Sequence, residues 1–152
     1  MRKYLLYIGV VLGFFMMLSC GKDSTYPSTP YLKYDQIYPV DTVLASERVQ
    51  ITCTFKDAEG DIKGKNHLFY KGINITRPAS IPDTFSSYGK DIPVFVQSKD
   101  VKGELVVFLK PTMDFPANAG YDSLCFELYL KDKAGHFSDT VRTDTIVMSN
   151  LQ

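Results

Sequence analysis

The sequence predicts an all-β domain, an antiparallel β-sandwich of about seven strands. Three observations carry that prediction. Beyond Pro30 the apolar residues recur with period two, the spacing of strands with one buried face. Turn-forming residues interrupt the pattern at the intervals expected of a sandwich. Once the N-terminal segment is set aside, no stretch of about ten residues shows helical apolar spacing.

The elements follow in chain order. Arg2-Lys3 precedes an uncharged run from Tyr4 to Leu18, which ends at the small Ser19 before Cys20. A basic start, an apolar middle and a small residue before a cut form an export signal, expected to be helical. The run is short against the roughly 20 apolar residues that span a bilayer. Met17-Leu18-Ser19-Cys20-Gly21 resembles the lipobox of bacterial lipoproteins. That resemblance implies cleavage before Cys20 and lipid attachment to its thiol. Residues 1–19 are then a lipoprotein signal peptide, 20–30 the lipidated cysteine and a flexible, small, proline-rich tether, and 31–152 the sandwich. Lys22-Asp23-Ser24 is a short version of the charged patch that follows the cysteine in surface-exported lipoproteins, so the periplasmic face and the cell surface both stay open.

Basic and acidic residues balance at 17 each, and removing Arg2 and Lys3 leaves a small acidic excess. No basic surplus is present to hold nucleic acid or an anionic membrane.

Val49, Ile51, Cys53 and Phe55 alternate with Gln50, Thr52, Thr54 and Lys56, a half-buried strand. Leu124, Phe126, Leu128 and Leu130 alternate with Cys125, Glu127, Tyr129 and Lys131. Gly103–Leu109 is apolar on both faces around Val106-Val107, which predicts a central strand. Weaker runs lie at Tyr31–Tyr38, Leu68–Ile75, Ile92–Gln97 and Asp139–Met148. Breaks are expected at Gly60, Gly72, Gly89-Lys90-Asp91, Lys102-Gly103, Asn118-Ala119-Gly120 and Ala134-Gly135. Thr76–Lys90 and Pro111–Gly120 read as loops or short edge strands.

Two phrases resemble a known group. Phe55-Lys56-Asp57-Ala58-Glu59-Gly60-Asp61-Ile62 is similar to a strand and acid–glycine turn common in Bacteroidota outer-membrane lipoproteins. Glu127–Ser138 resembles the matching late phrase, a strand ending in Asp-x-Ala-Gly, with His136 where asparagine is usual. The resemblance implies a single immunoglobulin-like domain on a lipid anchor, in a family mostly without assigned function. It marks a fold more than an activity.

In such a sandwich the turns after the second and sixth strands share one end, bringing Asp57, Glu59 and Asp61 toward Asp132. Two readings stand: a calcium site of oxygen ligands, or acids that simply make tight turns. Gly60 is not where an EF-hand loop requires its glycine. Cys53 lies on the apolar face and Cys125 on the polar face, which argues for free thiols over a bridge between sheets. A triad of His136, Ser138 and Asp132 would lie in one exposed turn with no activated nucleophile, so no catalytic residue is expected. The many tyrosines are either strand material or a surface for a protein or glycan ligand. Thr42, Ser123, Thr140 and Thr145 each stand in an Asp-Ser/Thr-aliphatic triplet resembling the O-glycosylation acceptor of exported Bacteroidota proteins. The expected function is that of an outer-membrane-anchored binding, adhesion or structural accessory module. The alternative is a calcium-stabilised or glycan-binding accessory of nutrient uptake.

Overall fold

The structure, a computed structural model, describes residues 24–44, 46–78, 84–87, 92, 99–110 and 120–149. The signal segment and Cys20 lie outside the described residues. Among the described residues nine strands form two sheets: β1 Tyr31–Tyr38, β2 Thr42–Leu44, β3 Val49–Asp57, β4 Leu68–Asn74, β5 Ser86–Ser87, β6 Val101–Leu109, β7 Tyr121–Leu130, β8 Val141–Arg142 and β9 Ile146–Ser149. One sheet runs β1-β3-β6 and the other β2-β9-β7-β4-β5, with β8 beside β7. β3, β6, β7 and β9 take the places of the second, fifth, sixth and seventh strands of an immunoglobulin-type domain. β3 pairs β6 in one sheet, and β4, β7 and β9 stand together in the other. That division is the immunoglobulin-like arrangement.

The core follows from parity. Val49, Ile51, Cys53 and Phe55 of β3 face Leu124, Phe126, Leu128 and Leu130 of β7, with Leu105, Val107, Leu109, Ile146 and Met148 beside them. Each fully buried aliphatic or aromatic side chain stabilises the fold by about 1.5–3 kcal/mol through water exclusion. β1 reads irregularly because a bulge between Tyr34 and Gln36 reverses its parity, so Leu32 and Ile37 both point inward. The extra residue, Asp35, accepts hydrogen bonds from Thr54 Oγ1 at 2.6 Å and Lys33 Nζ at 3.0 Å.

Several expectations are corrected. Among the described residues two short strands, Thr42–Leu44 and Ser86–Ser87, stand beyond the expected runs, too short to show a period, and Asp139–Met148 divides into β8 and β9. The pairing is not wholly antiparallel, since β2 runs parallel to β9. Among the described residues β6 is an edge strand, not a central one: Val101, Leu105, Val107 and Leu109 are buried, while Val106 and Phe108 face solvent. Gly72 and Gly103 are not breaks. Gly72 pairs with Phe126 inside β4, and Gly103 pairs with Phe55 inside β6. Of Ile92–Gln97 only Ile92 is described, and it bridges to Gly64. Most of Thr76–Lys90 and Pro111–Gly120 lies outside the described residues.

Part of the segment expected as a tether falls within the described residues. Asp100 Oδ1 accepts hydrogen bonds from Ser24 Oγ at 2.6 Å, the Thr25 amide at 2.8 Å and the Tyr26 amide at 3.1 Å. Lys56 Nζ stands 5.6 Å from the Tyr26 ring centroid and 5.4 Å from that of Tyr31. Pro30 is buried. Residues 24–26 are therefore laid against the sandwich and held there by charge-assisted bonds.

Candidate functional site

The β3–β4 and β7–β8 turns meet at one end of the sandwich. The Lys133 amide donates to Asp61 Oδ2 at 3.3 Å, and the Lys131 amide donates to His67 O at 2.8 Å. His67 Nδ1 lies 2.6 Å from Lys131 O, so that ring is spent on joining the turns. The sequence thus brings the right two turns together, but it does not gather all four acids.

Asp57 ends β3 with none of its surface exposed. The Asp61 amide donates to its Oδ2 at 2.8 Å, closing a five-residue turn through Gly60, whose φ of 65° suits glycine. Burial pushes the Asp57 carboxyl above the ordinary aspartate range and the nearby Asp61 charge adds to the rise, while amides of Asp61, Ile62 and Gly60 pull the other way. Asp57 Oδ1 and Asp61 Oδ1 are both buried without a hydrogen-bond partner. Glu59 is exposed and turned to solvent.

Asp132 is buried but committed elsewhere. Its Oδ1 accepts the His136 amide at 2.7 Å, and its Oδ2 lies 2.7 Å from His136 Nδ1. The Asp132 amide donates to His136 O at 3.0 Å, completing the turn across Gly135. His136 therefore binds the turn's own carboxylate through both its amide and its ring nitrogen. Ser138 Oγ accepts the Leu130 amide at 2.8 Å and donates to Asp139 O at 2.9 Å. Its hydroxyl proton points to a backbone carbonyl, not to His136, so the three side chains do not form a relay. Among the described residues no three His, Cys, Asp or Glu side chains converge as a metal-holding group.

Among the described residues the two cysteines, Cys53 and Cys125, are free. Cys53 is in the core, and burial raises its thiol to about 12. Cys125 has the outward parity the sequence implies, yet it is buried, because Arg142 Nε reaches over it to 3.2 Å from Sγ. The acceptor triplets differ in access. Thr42, Thr140 and Thr145 are exposed, whereas Ser123 is half-buried and its amide is tied to Thr76 Oγ1 at 3.0 Å.

The tyrosine reading divides by place. On the outer face of the larger sheet, Tyr129 stacks on Phe69 with centroids 5.0 Å apart, and Phe85 and Phe137 approach it at 4.8 Å and 5.7 Å. Lys71 and Lys131 stand over Phe85 and Phe137. At the end opposite the acidic turns, Tyr38, Val40, Leu44, Ile75 and Tyr121 are exposed, Tyr38 by 66% and Val40 by 65%. Neither group shows as a motif, because strand tyrosines and loop aliphatics look alike in sequence whether exposed or packed.

No family model matches the chain, and no curated protein matches it. Among solved structures it is similar to Spo0M, a sporulation control protein of Bacillus subtilis, at 12% identity and a TM-score of 0.45. That match covers 81% of this chain and 50% of the other, so the chain spans about half its length. It is also similar to a Niemann-Pick type C2 protein from Japanese carpenter ant, at 11% identity and a TM-score of 0.41, covering 84% and 98% of the two chains. The class defined by fold and sheet order is an immunoglobulin-like β-sandwich.

Proposed function

We propose that this is a lipoprotein of the bacterial envelope, anchored in the outer membrane through Cys20, whose sandwich is a non-catalytic binding module for a protein partner. The observation that carries the reading is an opposition of ends. Asp100 holds residues 24–26 at the end bearing the acidic turns. Cys20 is four residues before Ser24, a reach of roughly 14 Å at most. A lipid on Cys20 therefore sets that end toward the membrane. The far end then faces away, and it is the end with exposed Tyr38, Val40, Leu44, Ile75 and Tyr121. Exposed tyrosines among aliphatics are the composition of a protein contact. The commitment of His136 and Ser138 to turn hydrogen bonds supports a non-catalytic role.

A second reading, glycan capture, is favoured by the four-ring cluster around Tyr129. The test uses the full chain in cells. Labelling with a fatty-acid analogue and membrane fractionation are compared with Cys20→Ala, which is expected to lose both. A photo-cross-linker at Tyr121 is expected to capture a discrete protein, and one at Phe137 to capture none. Persistent lipid labelling of Cys20→Ala overturns the anchor. Capture at Phe137 but not at Tyr121 transfers the binding face to the ring cluster.

A further inference from the structure

We propose that Asp57 and Asp61 together form a divalent-cation site, and that calcium is the ion their oxygen donors fit. The Asp61 amide is bonded to Asp57 Oδ2 at 2.8 Å, and the Asp61 carboxylate is near enough for its charge to act on Asp57. Each carboxylate has one oxygen engaged by a main-chain amide: Asp57 Oδ2 by Asp61, and Asp61 Oδ2 by Lys133 at 3.3 Å. The other oxygen of each, Oδ1, is buried and has no donor. A carboxylate aimed by amides through one oxygen and left bare on the other is the arrangement in which outer hydrogen bonds orient a metal ligand. A buried, unpartnered acceptor is costly, and two of them in one turn, on carboxylates of like charge, call for an occupant.

The occupant is narrowed by the donors. Oxygen-only ligation suits a hard cation, whereas zinc favours the nitrogen and sulfur that this turn does not offer. His67 Nδ1 faces Lys131 O, and Asp132 is held by His136. The four-acid cluster suggested by the sequence thus contracts to two carboxylates, with main-chain carbonyls or water completing the shell. Two carboxylates make a weak site, with an expected Kd of about 10⁻⁴–10⁻³ M, the range of modules outside the cytosol. The competing occupant is a proton on Asp57, in keeping with its raised pKa. The site does not depend on the anchor or on the far end.

The experiment melts the full chain in detergent after chelator treatment, with and without calcium at about ten times the expected Kd. The expected result is a rise of about 2–6 °C with calcium and a smaller rise with magnesium, which keeps its water more strongly. Asp57→Asn and Asp61→Asn, each melting cooperatively, are expected to abolish the rise, while Glu59→Gln keeps it. Calorimetric titration with calcium should give one site in the chain and none in either asparagine variant. No rise in the unaltered chain, together with a higher metal-free melting temperature for Asp57→Asn, makes the proton the occupant and overturns the proposal. Loss of the rise in Glu59→Gln also overturns it.

Discussion

The ring of Phe55 covers Gly103 so closely that a Cβ at position 103 would fall 2.9 Å from Cε1 and 3.0 Å from Cζ. The two residues are direct partners across β3 and β6, and Phe55 is completely buried. Glycine stands mid-strand here because a ring needs its space, not because the chain turns.

Gly103→Ala is therefore expected to destabilise the domain. A methyl group forced against a buried ring displaces it in a core packed to crystal density, at a cost of about 1–3 kcal/mol. Urea unfolding should show a lower midpoint with the slope unchanged. Phe55→Leu combined with Gly103→Ala should recover part of the loss, since the clash is with the ring itself. Equal stability of Gly103→Ala and the unaltered chain would show that β3 and β6 have room to part.

Arg77 closes the far end of the larger sheet over Asp122. Its Nε donates to Asp122 Oδ1 at 2.8 Å and its Nη2 to Oδ2, a two-pronged pair with the carboxylate buried and the guanidinium partly open. The Arg77 hydrogen bonds hold the Asp122 carboxyl below the ordinary range, and desolvation opposes them. A depressed folded pKa means stability that is complete above the unfolded value near 3.9 and lost as pH falls through the folded value. Arg77→Ala is expected to cost about 2–3 kcal/mol at neutral pH, because it strands a buried carboxylate. Acid titration of stability should show the difference between the two chains narrowing below about pH 4. A gap that stays constant to pH 2 or so would mean that packing, not the ion pair, sets the cost.

How much of this was legible in the sequence depends on which residues repeat. β3 and β7 were readable because nine and ten residues of alternation outvote noise. Thr42–Leu44, Ser86–Ser87 and Val141–Arg142 offer too few residues to display a period, and their pairing is decided by neighbours distant in the chain. Val106 and Phe108 misled in the opposite way. Their apolarity suggested a central strand, but at an edge it is left facing water. The acidic turns were placed at one end because immunoglobulin-like connectivity dictates it. Which acids stay free was not readable, since it turns on the short bonds from His136 to Asp132 and from Asp61 to Asp57. Asp100 went unnoticed because nothing beside it in sequence marks a residue that binds a segment 74 to 76 positions earlier.

That last contact yields the final prediction. Hydrogen bonds from Ser24, Tyr26 and Thr25 lower the Asp100 carboxyl pKa, with the Lys99 charge assisting. Asp100 itself sits at φ 51°, a conformation that aspartate and asparagine accept more readily than other side chains, and its amide is bonded to Ala58 O at 2.9 Å. Asp100→Ala should therefore free residues 24–26 and lower the melting transition modestly, through the left-handed backbone strain of alanine rather than through loss of the exposed clasp. The measurement is limited proteolysis of the native chain, with cleavage beside Tyr26 expected to become at least several-fold faster. Asp100→Asn keeps the backbone preference and an acceptor oxygen but no charge, and should fall between the two. The clasp should also open in acid, since a depressed folded pKa loses its contribution as pH falls through that value, while cleavage at neutral pH stays slow. Unchanged cleavage in Asp100→Ala would mean that Lys56 on Tyr26 is enough to hold the segment, and Lys56→Ala in the same background would then release it.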